Sequence, residues 1–182
     1  MAVGDRMLKW LGGVVFALVG FVGGLYALGA MEPAEHVVSR RATFNKPPAI
    51  LWALLSDPTQ QPKWRRDVLK VVPVTLPGGA RVFEEQWRNG VKLLTEISVI
   101  EPGRKLQSRV VNGDLPFGGT TTYEFLAVGE GTELRVTEQG FIRSPFMRFF
   151  TKYVFGYSSS VDGILHLVGL HFGENVTPED QR

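Results

Sequence analysis

The chain has 182 residues, with 20 basic against 18 acidic side chains and no cysteine. That length favours one main domain. A net charge of +2, without a basic run interleaved with aromatics, argues against a nucleic-acid surface, and the missing thiol excludes disulfides, thiolate metal sites and a cysteine nucleophile.

Residues 1–9 form a short N-terminal flank. From Trp10 to Met31 no charge occurs in 22 positions. As a helix this run is roughly 33 Å long, enough to cross a hydrocarbon core of about 30 Å. Trp10 and Tyr26 stand towards its two ends, where amphipathic rings favour the interface. The run exceeds a usual signal-peptide core, so residues 10–31 are expected to be a retained single-pass anchor. The competing reading is a cleaved signal peptide, for which Ala27-Leu28-Gly29 offers a small-x-small site. A buried soluble helix is disfavoured, because the run is apolar all round. Gly20 and Gly24, continued by Gly13 and Ala17, leave weak self-association open. The plainer reading is that glycine is frequent in such spans. Arg6 and Lys9 precede the span closely, whereas Arg40 and Arg41 follow at a distance, with Glu32 and Glu35 between. This tilts the N-terminus inside and the soluble domain to the periplasmic side of a bacterial inner membrane.

Residues 32–35 read as a linker, 36–172 as one domain, and 173–182 as a polar, unstructured tail. Residues 36–45 are β-branched and strand-like. Residues 46–57 begin with prolines suited to a first helical turn, then place Ile50, Leu51, Leu54 and Leu55 at helical spacing until Asp57-Pro58 stops them. A short helix or turn carries Thr59–Asp67. Strand-like runs follow at 68–76, 81–88, 91–100, 104–112, 119–128 and 132–142. They are separated by turn-forming segments at 77–79, 89–90, 101–103, 113–119 and 129–131.

Residues 145–170 read as one long helix. Phe146, Phe149, Phe150, Tyr153, Tyr157, Ser160, Val161, Ile164, Leu167 and Val168 fall in one arc of about 120°, opposite Arg148, Lys152, Ser159, Asp162 and His166. The aromatic face needs an apolar partner, and the preceding strands supply it. The order is α+β, an antiparallel sheet covered by a C-terminal helix.

Three stretches carry a resemblance: PPAILWALLSDPTQQPKWRRDVLKV (47–71), LPFGGTTTYEF (115–125) and GTELRVTEQGFIRSPFMRFFTKYVFG (131–156). Together they resemble the START-like, or SRPBCC, superfamily, in its polyketide cyclase/dehydrase-like branch. The likeness spans about residues 37–170, although the Asp57-to-Trp64 spacing is one residue longer than the family's tightest form. It implies a helix-grip fold, in which a seven-stranded antiparallel sheet wraps a long C-terminal helix around a hydrophobic cavity. Members bind lipids, sterols, polyketides, quinones or hormones, and some are enzymes. The resemblance also implies that Trp64 folds over the sheet end, either as a plug or as a ligand wall.

Alternation groups the candidate inner residues. Phe83, Glu85 and Trp87 share one strand face, Thr121, Tyr123 and Phe125 another, and Leu134, Val136 and Glu138 a third. A carboxylate on such a face must be paired, and desolvation would tune it for general acid–base work. Glu85, Glu138 and Tyr123 are therefore the catalytic candidates, against the plainer reading of rim-exposed carboxylates. Arg109 is a candidate partner or a clamp for an acidic head group. Candidate wall residues are Trp64, Trp87, Phe117, Tyr123, Phe125, Phe149, Tyr153 and Tyr157, with Leu115–Gly119 as a gate. The five-residue spacing of His166 and His171 does not stack on one helical face, and His36 only begins a strand, so no metal is expected. No phosphate loop, dinucleotide fingerprint or Gly-x-Ser-x-Gly occurs, and no cofactor is expected.

The leading expectation is a membrane-anchored protein holding a lipid, quinone or polyketide-like molecule between sheet and helix. The alternatives are a cyclase or dehydratase using a cavity glutamate, and a protein-interaction domain with a closed core.

Overall fold

The computed structural model describes residues 2–75 and 79–181, with side chains from residue 10 onward. The end of the strand expected at 68–76 and most of the turn expected at 77–79 lie outside the described residues. The chain divides into two compact units: residues up to Ala34 with Ile142–Gly156, and Glu35–Phe141 with the residues from Tyr157 onward.

The first unit contains helix α1, Ala2–Met31, and a short helix α4, Pro145–Phe150, continued by a π-helical turn at Thr151–Phe155. The stretch Trp10–Met31 is long and apolar enough to cross a membrane, and its large apolar side chains, Phe16 and Trp10 among them, are exposed along its length. Gly29 is where α4 crosses α1: any Cβ there would fall on the Pro145 carbonyl. The crossing is held by Arg148, which donates to the Glu32 carbonyl oxygen at 2.8 Å.

The second unit is an antiparallel sheet and its covering helices. Its strands are β1 (Glu35–Phe44), β2 (Val68–Thr75), β3 (Arg81–Trp87), β4 (Lys92–Glu101), β5 (Lys105–Val110), β6 (Phe117–Val128), β7 (Gly131–Ile142) and β8 (Glu179–Asp180). Their order across the sheet is β2-β3-β4-β5-β6-β7-β1-β8. Six of the strands thus follow one another as a meander, and β1 closes against β7 with Ala42 opposite Leu134 and Val38 opposite Glu138. The inner face is covered by α2 (Pro48–Leu55), α3 (Gln61–Trp64) and α5 (Ser159–Phe172). Leu51 and Leu55, one turn apart on α2, are buried, and Trp52 meets Phe125 edge-on at 5.4 Å. Between α2 and α3, Asp57 caps a 3-10 turn at Pro58–Gln60. It accepts from the Thr59 hydroxyl at 2.6 Å, the Thr59 amide at 3.0 Å and the Gln60 side-chain amide at 2.9 Å. These bonds hold its carboxyl below the usual range against the opposing effect of burial.

Two expectations need correcting. The single helix expected over 145–170 is broken. Gly156 has φ 82°, open to glycine and costly for other residues, and a fresh helix begins at Ser159. The restart shifts the buried stripe to Val161, Leu165 and Val168, at i, i+4 and i+7. The tail expected to be unstructured supplies an eighth strand. Glu179 pairs with Arg41 and Asp180 with Arg40 in register, and the same two arginines bond those two carboxylates. Val176 is buried in the main core, and Glu174 accepts from the Asn45 amide at 2.8 Å. Like charges in the tail sequence hid complementary charges on β1.

Candidate functional site

The inner face of the sheet is apolar at its centre. Phe44, Leu106, Leu134 and Val136 meet Val161, Leu165 and Val168 of α5, and all are fully buried. Arg40, opposite Val136 on β1, donates to Asp162 of α5 at 2.7 Å and fixes the helix on this face.

Two polar groups interrupt the apolar surface. The first gathers around Glu85 on β3, which is only 4% exposed. It accepts from the Gln61 side-chain amide at 3.1 Å and from the Trp87 indole at 3.2 Å. The Arg65 guanidinium lies 4.5 Å over the Trp87 ring and 5.8 Å from that of Trp64. The second gathers around Glu138 on β7. His36 lies 3.2 Å from one of its oxygens, and Ser160 donates to the other at 2.7 Å. The His36 ring stacks on Tyr157 at 4.9 Å. Gly140 makes room for that ring, since a Cβ there would come within 2.7 Å of it. The Nδ1 atom of His36 is buried and has no hydrogen-bond partner among the described residues.

Tyr123 stands on β6 opposite Leu106 and packs against the main core cluster. Burial pushes its hydroxyl up to about 12; Arg65 opposes that rise, while Glu85 and Glu138 add to it. Both carboxylates and Arg65 therefore act on this one phenol. Tyr123 nevertheless keeps some accessible surface. The phenol is thus desolvated although the residue as a whole is only partly buried. It is neutral at physiological pH and can donate a hydrogen bond to a ligand oxygen.

The raised value has a measurable sign. Between pH 10 and 12 an unfolded chain loses this proton while the folded chain keeps it, so stability falls as pH rises through that window. Tyr123→Phe is expected to remove up to about 2–3 kcal/mol of this alkaline loss and to leave the profile below pH 10 unchanged. Denaturant titrations at stepped alkaline pH, with phenolate absorbance alongside, measure it.

The other expected site residues are distributed as follows. Trp64 is packed in the main core with Phe125. Trp87 belongs to a second cluster with Val68, Val71, Phe83 and Ile97. Arg109 pairs with Glu96, directly across β4, and is largely exposed. Phe117 and Gly118–Gly119, expected in a gate loop, open strand β6 instead. Phe149 and Tyr153 lie in the first unit, where their rings meet at 5.1 Å, tilted by 39°. Tyr157 lies in the second, against His36. Sequence reasoning passed over His36, Gln61, Arg65 and Ser160. The glycine opposite His36 was the available signal for the first of these. Among the described residues no group of three or more His, Cys, Asp or Glu converges.

Residues 35–158 match the family model described as polyketide cyclase / dehydrase and lipid transport. The chain belongs to that family. The fold is shared with solved structures of low identity. An aromatase/cyclase from a Streptomyces species aligns with a TM-score of 0.61 at 14% identity, over 76% of this chain and 94% of that one. A protein from Thermus thermophilus gives 0.60 at 20% identity, over 75% and 96%. A START superfamily protein from Mycobacterium smegmatis gives 0.57 at 15%, over 75% and 94%. No curated protein matches this chain. Family membership supports a role in hydrophobic-ligand binding or in cyclase chemistry.

Proposed function

We propose that the chain is a membrane-anchored binding protein, in which residues 36–172 hold a hydrophobic small molecule between the sheet and α5. The observation that carries this reading is Tyr123, a neutral, desolvated donor with residual surface beside two carboxylates held by their own partners. A lipid, quinone or polyketide-like molecule would gain about 25 cal/mol per Å² of apolar surface buried. Its carbonyl or hydroxyl oxygen would take the Tyr123 proton as a hydrogen bond, so an oxygenated ligand is favoured over a plain hydrocarbon. Trp64, Trp87, Phe117, Phe125 and Tyr157 are the proposed apolar contacts. The anchor at residues 10–31 would keep the site near the phase in which such molecules dissolve. Arg6 and Lys9 favour an inside N-terminus, with the binding domain on the outer side.

A second reading is enzymatic. Glu138, bonded to both His36 and Ser160, is a carboxylate with an imidazole in hand, which suits a cyclisation or dehydration needing a proton moved at a ligand carbon. On this reading Glu138→Gln abolishes turnover while leaving ligand retention intact.

The test is organic extraction and mass spectrometry of the full chain purified from membranes. A single apolar, oxygen-bearing species is expected in stoichiometric amount, and several-fold less of it from Tyr123→Phe. Recovery of bulk membrane lipid alone, in equal amounts from both proteins, would sink the binding reading and favour a closed core.

A further inference from the structure

The stretch 143–155, RSPFMRFFTKYVF, carries Arg143, Arg148 and Lys152 and no acidic residue. It is also unusually apolar at its surface. Tyr153, Val154 and Phe155 are 54%, 58% and 67% exposed, and Met147 and Phe150 are exposed beside them. The rings brace one another, with Phe149 against Phe150 at 5.4 Å and against Tyr153 at 5.1 Å. In a water-facing segment this combination would be costly.

Its position within the first unit explains it. α4 crosses α1 at Gly29, near the end of the apolar run, and Phe146 lines an open apolar cleft together with Leu18, Val19, Val22, Gly23 and Tyr26 of α1. Glu32, the first acidic residue past the run, receives the Tyr153 hydroxyl at 2.6 Å and has the Lys152 ammonium 3.9 Å away. The segment is thus fastened at the level where an apolar helix gives way to charge. That level is the headgroup region of a bilayer. Aromatic rings concentrate there, and basic residues there meet anionic lipid.

We propose that residues 145–155 form a second membrane contact, an interfacial segment whose exposed rings lie in the leaflet at the C-terminal end of α1 and whose basic side chains favour anionic headgroups. This rests on the reading that α1 spans a bilayer. The segment then does what a flexible tether cannot, because it sets a fixed depth for the chain where it leaves the membrane.

The cysteine-free sequence permits a direct test. A nitroxide is attached to the full chain at Phe155→Cys, at Val19→Cys in the span, or at Leu69→Cys on exposed β2. Each protein is reconstituted into phosphatidylcholine vesicles with and without phosphatidylglycerol. Accessibility to oxygen and to a nickel chelate then reports depth. The label at 155 is expected to be oxygen-accessible and chelate-protected, shallower than that at 19 and unlike that at 69. Adding Arg143→Gln and Lys152→Gln should shift it outward in the anionic vesicles. A chelate-accessible label at 155, with the label at 19 still in lipid, overturns the proposal and spares the span. A chelate-accessible label at 19 overturns both. Spin–spin broadening at 155 that vanishes on dilution with unlabelled chain overturns the proposal in favour of a second copy of the chain.

Discussion

Leu165→Ala is expected to lower the unfolding free energy by about 2–5 kcal/mol, the range for emptying a fully buried leucine site. Leu165 has no accessible surface and lies in the main core, flanked along α5 by Val161 and Val168. Its neighbours cannot close in easily. On the sheet side it faces a cluster whose strands are locked in long antiparallel registers. On the helix side α5 is fixed to β1 by the Arg40–Asp162 pair. The cavity left behind therefore persists, and its cost adds to the lost transfer energy. His166→Ala, one residue on and exposed, is expected to stay within about 0.5 kcal/mol. Denaturant titration of the two variants beside the parent chain measures the contrast. A loss below about 1 kcal/mol at Leu165 would mean that α5 is not the helix that closes the core.

That residue also shows where sequence reasoning reached its limit. The strand runs were legible because alternation is local: the runs expected at 81–88 and 132–142 appear as Arg81–Trp87 and Gly131–Ile142. Turn glycines such as Gly90 and Gly103, both at positive φ, mark their ends. The phase of the last helix was not legible. Rotating at a constant angle from Pro145 assumes an unbroken helix, and that assumption puts Ile164 at the centre of the buried arc and Leu167 within it, while missing Leu165. The π-turn at Thr151–Phe155 and the φ of Gly156 reset the count. One irregular turn is invisible to periodicity, yet it decides which side chains meet the sheet and which remain with α1.

The polar part of the site was half legible. Glu85 and Glu138 stood out as carboxylates on apolar strand faces, and each is found with two partners. Those partners come largely from elsewhere in the chain. Gln61 and Ser160 lie on helices, and His36 lies about a hundred residues from Glu138. Alternation along one strand cannot name residues that a register or a helix crossing brings to it. The eighth strand was missed for the same reason. Glu179 and Asp180 look like a soluble tail until Arg40 and Arg41 are placed beside them.

Gly119→Ala should be the most damaging small substitution at the sheet's β6 end, costing about 3–5 kcal/mol from backbone strain and overpacking together. Gly119 has φ 146°, a region essentially closed to other residues, and a Cβ there would fall on the Gln139 carbonyl of β7. Neither neighbour can yield without opening the β6–β7 pairing, which joins Tyr123 to the Glu138 side of the site. Gly118→Ala is the control. Its Cβ would meet the end of the Phe141 ring at 2.9 Å, and a ring can turn aside, so a loss of about 1 kcal/mol or less is expected. The same pair of variants separates two views of Leu115–Gly119. If this segment acted as a mobile gate, both alanines would be tolerated and both would slow ligand exchange. If its glycines serve close strand approach, as the geometry has it, Gly119→Ala unfolds the chain at lower denaturant and loses ligand, while Gly118→Ala keeps both near the parent values.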